Sequence, residues 1–332
     1  MRRRDFLCVL GGATIAGPRA AHAQQPSRIS RVVLWMGGLG PSDAQGQQNL
    51  KVFQDTLRGH GWIDGRNLRV DLRRYSAAFS QQEMYDGAAE VISLNPDAIV
   101  TTGAPILAAL QRQTKNIPIV FTFVTDPVTD GFVVSLARPG GNITGFTLFD
   151  HSFAGKWLKM LKEAVPSIQR VAVMQNTGHP AWTPYLSAIE ALAPRVGVTV
   201  TPMPVNSLVD VEPALGAFAG SPNGGLILLP SPLGTLHRQA IADAALRHRL
   251  PSIYSQSFYP VVGGLMSYGV ENVEPYRQAA TYVGRILKGE NPAQMPVQAA
   301  SKFEMVFNLK TAKALSIEVP PTMLGRADEV IE

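Results

Sequence analysis

Chemistry in this chain is confined to short polar stretches that close apolar runs: Thr101, Thr102, Gly103 and Ala104; Thr125 and Asp126; Asn176; and Ser231. Their types suit capture of a small molecule rather than bond breaking. A threonine hydroxyl and backbone N–H groups at a helix start favour a carboxylate, because the helix dipole is positive there. Asp126 can take an ammonium or, standing before Pro127, cap its own turn. Side chains placed for covalent work are missing: there is no GxSxG elbow, no SxxK and no P-loop lysine. His60, His151, His179, His237 and His248 are scattered, with no HExxH and no pair at a metal-binding helical spacing. A protein without catalytic residues, metal or cofactor is expected.

Gly37, Gly38 and Gly40 follow the first apolar run and precede a helical one, the place of a dinucleotide-binding loop. Asp43 stands where the third glycine of GxGxxG would fall, and its carboxylate would repel a pyrophosphate. Ser42 or Asp43 reads instead as a helix N-cap. Gly37 and Gly38 are therefore expected to offer backbone N–H groups to a small anion. Tyr254 and Tyr268, with Tyr75, Trp182 and Tyr259, are candidate flat walls of a pocket.

The elements that must position these residues belong to a chain of 332 residues with net charge +5. Arg3 and Arg4, the apolar stretch that starts at Cys8, and Ala21-His22-Ala23 read as an export signal over residues 1–23, of Tat type or for the Sec route. Without that segment 26 basic and 24 acidic residues remain, a net charge of +2, with no Lys/Arg cluster to hold nucleic acid or an anionic membrane. The one cysteine leaves with the signal, so disulfides and thiol chemistry are excluded from the mature chain. No later apolar run approaches the roughly 20 residues needed to cross a bilayer. A soluble, periplasmic monomer is expected.

From residue 31 onward, strand-like runs alternate with helix-length segments, the pattern of parallel sheets covered by helices. Strands are predicted at 31–36, 68–73, 98–102, 117–123, 142–147, 170–175, 198–202, 225–229, 252–255 and 265–268. Helices are predicted at 43–60, 81–94, 105–113, 153–165, 183–196, 208–219, 236–249 and 274–288. Two stretches repeat in outline: the strand at 98 leads through a helix to Pro118, and the strand at 225 leads through a helix to Pro251. In both, proline opens the next strand, where its missing N–H is tolerated. The expected architecture is α/β: two Rossmann-like lobes with parallel sheets, residues 27–147 plus 257–295 and residues 148–256 plus 297–332. The strand holding Met266 to Gly269 is expected to join the first lobe, and several linking strands would form a hinge.

The signal MRRRDFL with AHAQQP, then VTDPV, GNITGF, GGLMSYG, YVGRILKGE, FNLKTAKAL and the closing RADEVIE carry a family likeness over essentially the whole mature chain. The chain resembles the ABC transporter substrate-binding protein family that includes tryptophan- and tyrosine-binding members. The resemblance implies the type I periplasmic binding protein fold, two lobes with three crossings. It also implies a small-molecule ligand and partners in an ABC permease with its ATPase. Residues 101–104 and 125–127 match first-lobe loops that hold an amino-acid ligand in the family. Residues 230–232 depart from it, since many members carry an acidic residue there, and Trp182 and Pro184 are bulkier than usual. The function expected is solute binding for import, the ligand small and polar or zwitterionic, such as an amino acid. The alternatives are a sensing module for a signalling receptor and an exported nucleotide-dependent oxidoreductase.

Overall fold

Apolar β-branched runs become strands in the computed structural model, which describes residues 28–37, 43–75, 80–148, 151, 153–176 and 182–332. The export segment, Gly38 and His179 lie outside those residues. The first lobe runs β1 (Ser30–Gly37), α1 (Ala44–Gly59), β2 (Leu68–Tyr75), α2 (Gln81–Ser93), β3 (Ala98–Thr102), α3 (Ala104–Gln113), β4 (Ile119–Val124) and β5 (Ile143–Thr147). The second runs α4 (Phe153–Ala164), β6 (Arg170–Gln175), α5 (Trp182–Leu192), β7 (Thr199–Pro204), α6 (Leu208–Ala219), β8 (Gly224–Leu228), α7 (Pro232–Leu236), α8 (Arg238–Arg247), β9 (Ser252–Tyr254), α9 (Phe258–Val261) and β10 (Met266–Val270). There follow α10 (Glu274–Ile286), β11 (Gln298–Ala299), β12 (Phe303–Asn308), α11 (Leu309–Ala314), α12 (Pro321–Leu324) and β13 (Glu329–Ile331).

The strand order shows why the sequence repeats. One sheet reads β2-β1-β3-β4-β5-β11 and the other β7-β6-β8-β9-β10-β12-β13, so the first five strands of each lobe follow one plan. All pairs are parallel except β10 with β12. The two prolines hold equivalent places: Ile99 N donates to Pro118 O and Leu226 N to Pro251 O, each at 2.8 Å. Proline costs no ladder bond there because only its carbonyl is used. Each sheet is buried on both faces, as parallel sheets are.

The second and third crossings between the lobes fall later in the chain than expected. The strand at Met266 pairs with β9 and β12 and belongs to the second sheet. Leu265 and Met266 are fully buried and, with Val270, lie in the second lobe's core, where the short connection through α9 returns them. The first lobe instead receives α10, packed with α1 over β4, and β11 beside β5. The chain therefore crosses between β5 and α4, between β10 and α10, and between β11 and β12.

One irregularity aims a side chain. The β4–β5 register shifts between Phe121 and Val124, and Phe123 takes φ +57°, a left-handed value costly for a bulky residue. Opposite it, Gly145 has φ +155°, and a Cβ there would run into the Phe121 carbonyl. Gly145→Ala is expected to lower stability by about 2–3 kcal/mol, the range of overpacked and strained sites. Urea denaturation measures this, and an unchanged midpoint would remove Gly145 as the support of the bulge.

Candidate functional site

Ligands of open α/β sheets sit beyond the carboxyl ends of their strands, and here both lobes turn those ends toward one gap. The cavity between them has about 160 Å³. Since a single water needs about 10–15 Å³ on that scale, there is room for roughly a dozen water-sized groups, the bulk of one amino acid.

The first lobe builds one wall from β1, β3, β4 and the helix starts that follow. Gly37, Thr102, Gly103, Ala104 and Thr125 line it. Gly103 is the N-cap of α3 at φ +82°, but its own N–H donates to Thr122 O at 2.9 Å. With Pro105 in the first turn, the donors left at this helix start are the N–H groups of Ala104 and Ile106. Thr102 Oγ1 is buried beside the Tyr276 hydroxyl without a hydrogen bond of good geometry. A ligand oxygen or nitrogen would complete it. Asn49, 3 % exposed, accepts from Gln45 Nε2 at 2.8 Å, which leaves its amide nitrogen as the group to offer.

Aromatic rings supply the apolar surface, and sequence reasoning missed them. Phe123 and Tyr276 stand 6.0 Å apart at 51° on one side, while Tyr185 and Phe258 come from the second lobe. Burial pushes the Tyr276 hydroxyl above the usual phenol range, against the pull of Thr102 and Asn49. The signal for Phe123 was its place one residue before VTDPV; nothing local marked Tyr276, which arrives from α10, some 150 residues away.

The second lobe contributes Ser231, Thr235 and Gln256, and the crossing contributes Asn272. Ser231 caps α7, accepting from Gly234 N at 2.9 Å, so its hydroxyl proton remains for the cavity. Asp130, exposed at the rim, is the single charged side chain among the described lining residues.

Four expected positions lie elsewhere. The Asp126 carboxylate is used by its own turn, where Oδ1 accepts from Thr129 N at 3.0 Å. Burial opposes its ionisation, yet Thr129, His151 and Val128 N–H hold it below the usual carboxylate range. Tyr254 is 1 % exposed, stacked on Tyr259 at 4.4 Å, with its hydroxyl pushed up to about 12 by burial. It is core because its strand is central in the sheet. Tyr268 stacks on Phe153 at 5.1 Å, on the sheet face that carries α4. Asn176 follows β6 and lies outside the cavity lining.

Two contacts join the lobes at the cavity. Arg238 donates to Asp43 Oδ2, with side chains only 19 % and 10 % exposed. Asp43 also caps α1 through Gln45 N and Gly46 N, and Arg238 lies over the Phe258 ring at 5.2 Å. The Tyr185 hydroxyl reaches Thr125 Oγ1 at 3.4 Å. The lobes are thus closed upon the cavity. Among the described residues no cluster of His, Cys, Asp and Glu could hold a metal, and no helix is long and apolar enough to cross a membrane.

Residues 43–331 match the family described as ABC transporter substrate binding protein. A tyrosine-binding protein of Clostridioides difficile is 26% identical over 274 residues, 81% of this chain and 76% of that protein. A conserved domain protein from Vibrio cholerae has a crystal structure similar at TM-score 0.82 and 26% identity, covering 91% of this chain and 100% of the other. The ABC domain in complex with L-Trp from Streptococcus pneumoniae is similar in fold at TM-score 0.81 and 21% identity, over 91% and 99% of the two chains.

Arg238→Met removes the interlobe pair and keeps the α1 cap, so ligand affinity is expected to fall roughly tenfold, about 1.4 kcal/mol. Calorimetry reads the affinity, and small-angle scattering reads the shift toward a more open form. For Asp126→Ala, the loss is expected in stability. Because the folded carboxyl titrates below its unfolded value, that loss is full above the ordinary carboxylate range and shrinks as pH falls through the folded value. Thermal melts of both proteins from neutral to acid pH check it.

Proposed function

The chain belongs to the ABC transporter substrate binding protein family, and we propose that it is the solute receptor of an importer, closing its lobes on an aromatic amino acid. The observation that carries this reading is the composition of the cavity. Its apolar walls are Phe123, Tyr276, Tyr185 and Phe258, and one end is the N-terminus of α3. No lysine or arginine is among the described lining residues, so a carboxylate is held by the Ala104 and Ile106 N–H groups and the helix dipole. An ammonium is left to neutral acceptors and to the Asp130 carboxylate at the rim. Relatives named for tyrosine and found with L-Trp fit that shape.

The receptor works outside the cytoplasm, delivered by the segment 1–23, and passes its solute to a permease. It needs no catalysis. A nucleotide-dependent activity is disfavoured by α1, whose first-turn N–H groups are already taken by Asp43, where a pyrophosphate would bind.

Mass spectrometry of small molecules released from the purified protein, followed by calorimetry with L-tryptophan, L-tyrosine and aliphatic L-amino acids, tests the reading. Saturable binding at micromolar Kd or tighter, with preference for an aromatic, is expected. Absence of binding across the amino acids would overturn it.

A further inference from the structure

We propose that Asn49 is a specificity-determining residue of the ligand site: with the Thr102 hydroxyl and the first-turn N–H groups of α3, its amide nitrogen receives the ligand carboxylate. The proposal rests on the reading of the cavity as an amino-acid site and names the side chain that makes it select for an acid. Asn49 stands on the buried stripe of α1, formed by Gly46, Asn49, Phe53 and Leu57. Phe53 and Leu57 pack with Val100 and Tyr276 into the core between the sheet and α10. Side chains two apart on a strand share a face, so Thr102, two residues after Val100, turns to that same side at the end of β3. Asn49 lies one turn nearer the start of α1 than Phe53, at the height of the strand ends. Both Asn49 and Thr102 line the cavity, and Ala104, which begins α3, follows Thr102 by two positions.

The groups gathered there are donors short of an acceptor. Asn49 Oδ1 accepts from Gln45 Nε2 at 2.8 Å, while Nδ2, which can only donate, enters no hydrogen bond of good geometry among the described residues. Thr102 Oγ1 is likewise buried without a partner. The start of α3 adds the positive end of its dipole. A carboxylate, with about four lone-pair sites, accepts from all of them at once. An ammonium placed here would face the Asn49 N–H groups and the positive helix end. For the fold alone the residue is a poor choice. Asn49 is 3 % exposed on an otherwise apolar stripe, a weaker helix former than leucine, and burying its unpaired N–H groups opposes folding. Its service to a bound carboxylate accounts for an amide at that place.

Calorimetry on the full protein, with L-tryptophan, L-tyrosine and the C-terminal amide of each, tests the assignment. The wild type is expected to prefer a free acid over its amide by about tenfold or more. Asn49→Asp keeps the shape and the bond from Gln45 but puts an anionic oxygen where the amide nitrogen was. It is expected to weaken the acid by about a hundredfold or more and to narrow or reverse the preference, because the ligand amide can donate to that oxygen. Asn49→Leu is expected to weaken the acid about tenfold and the amide less, while melting no lower than wild type. Should leucine destabilise the fold, the acid-to-amide ratio of Asn49→Asp decides alone. Equal binding of acid and amide by the wild type, unchanged acid affinity in Asn49→Asp, or equal losses for acid and amide overturns the assignment and leaves the amino-acid reading standing. If the wild type binds neither free amino acid, the amino-acid reading fails and this assignment falls with it.

Discussion

The pair formed by Asp43 and Arg238 ties the start of α1 in one lobe to the start of α8 in the other, and the cavity depends on that closure. Two strand-end loops face a common gap only while the lobes are held together; apart, each would present a shallow, wet surface. The pair is mostly buried, so its attraction is screened less than that of an exposed pair, and Phe258 beneath the guanidinium links it to the wall of the cavity. Because Asp43 caps α1 as well, its carboxylate is oriented by the helix rather than by its partner.

Within the closed gap the binding groups are neutral: amide groups, hydroxyls and a helix N-terminus. This suits reversible capture. A buried cation facing a ligand carboxylate would carry a desolvation penalty in the empty protein, whereas backbone N–H groups at a helix start carry their partial charge at no such cost. The aromatic walls add apolar area with few rotatable bonds, so ordering them on closure loses little entropy.

Departures from easy geometry gather at this cavity. Phe123 adopts a left-handed backbone at a bulge, and Thr102 keeps a buried hydroxyl without a good partner. Each costs folding free energy, and each sits in the cavity wall. The plain α/β framework bears that cost through two sheets buried on both faces.

Strands, helices and the repeat were legible in the sequence, because apolar periodicity and Pro118 and Pro251 act locally. So were Thr102, Gly103, Ala104, Thr125 and Ser231 as residues at strand ends, since chain order alone puts them there. The lobe that receives β10 was not legible: pairing with β9 and β12 is decided by which edge is free, a property of the assembled sheet. Nor could the sequence separate Tyr276, which lines the cavity, from Tyr254, which is core, for both are buried tyrosines and only packing says what each ring faces. Local residue types determine which elements form and where their polar ends fall; the tertiary structure alone decides which side chains, from Asn49 to Asn272, meet in one cavity.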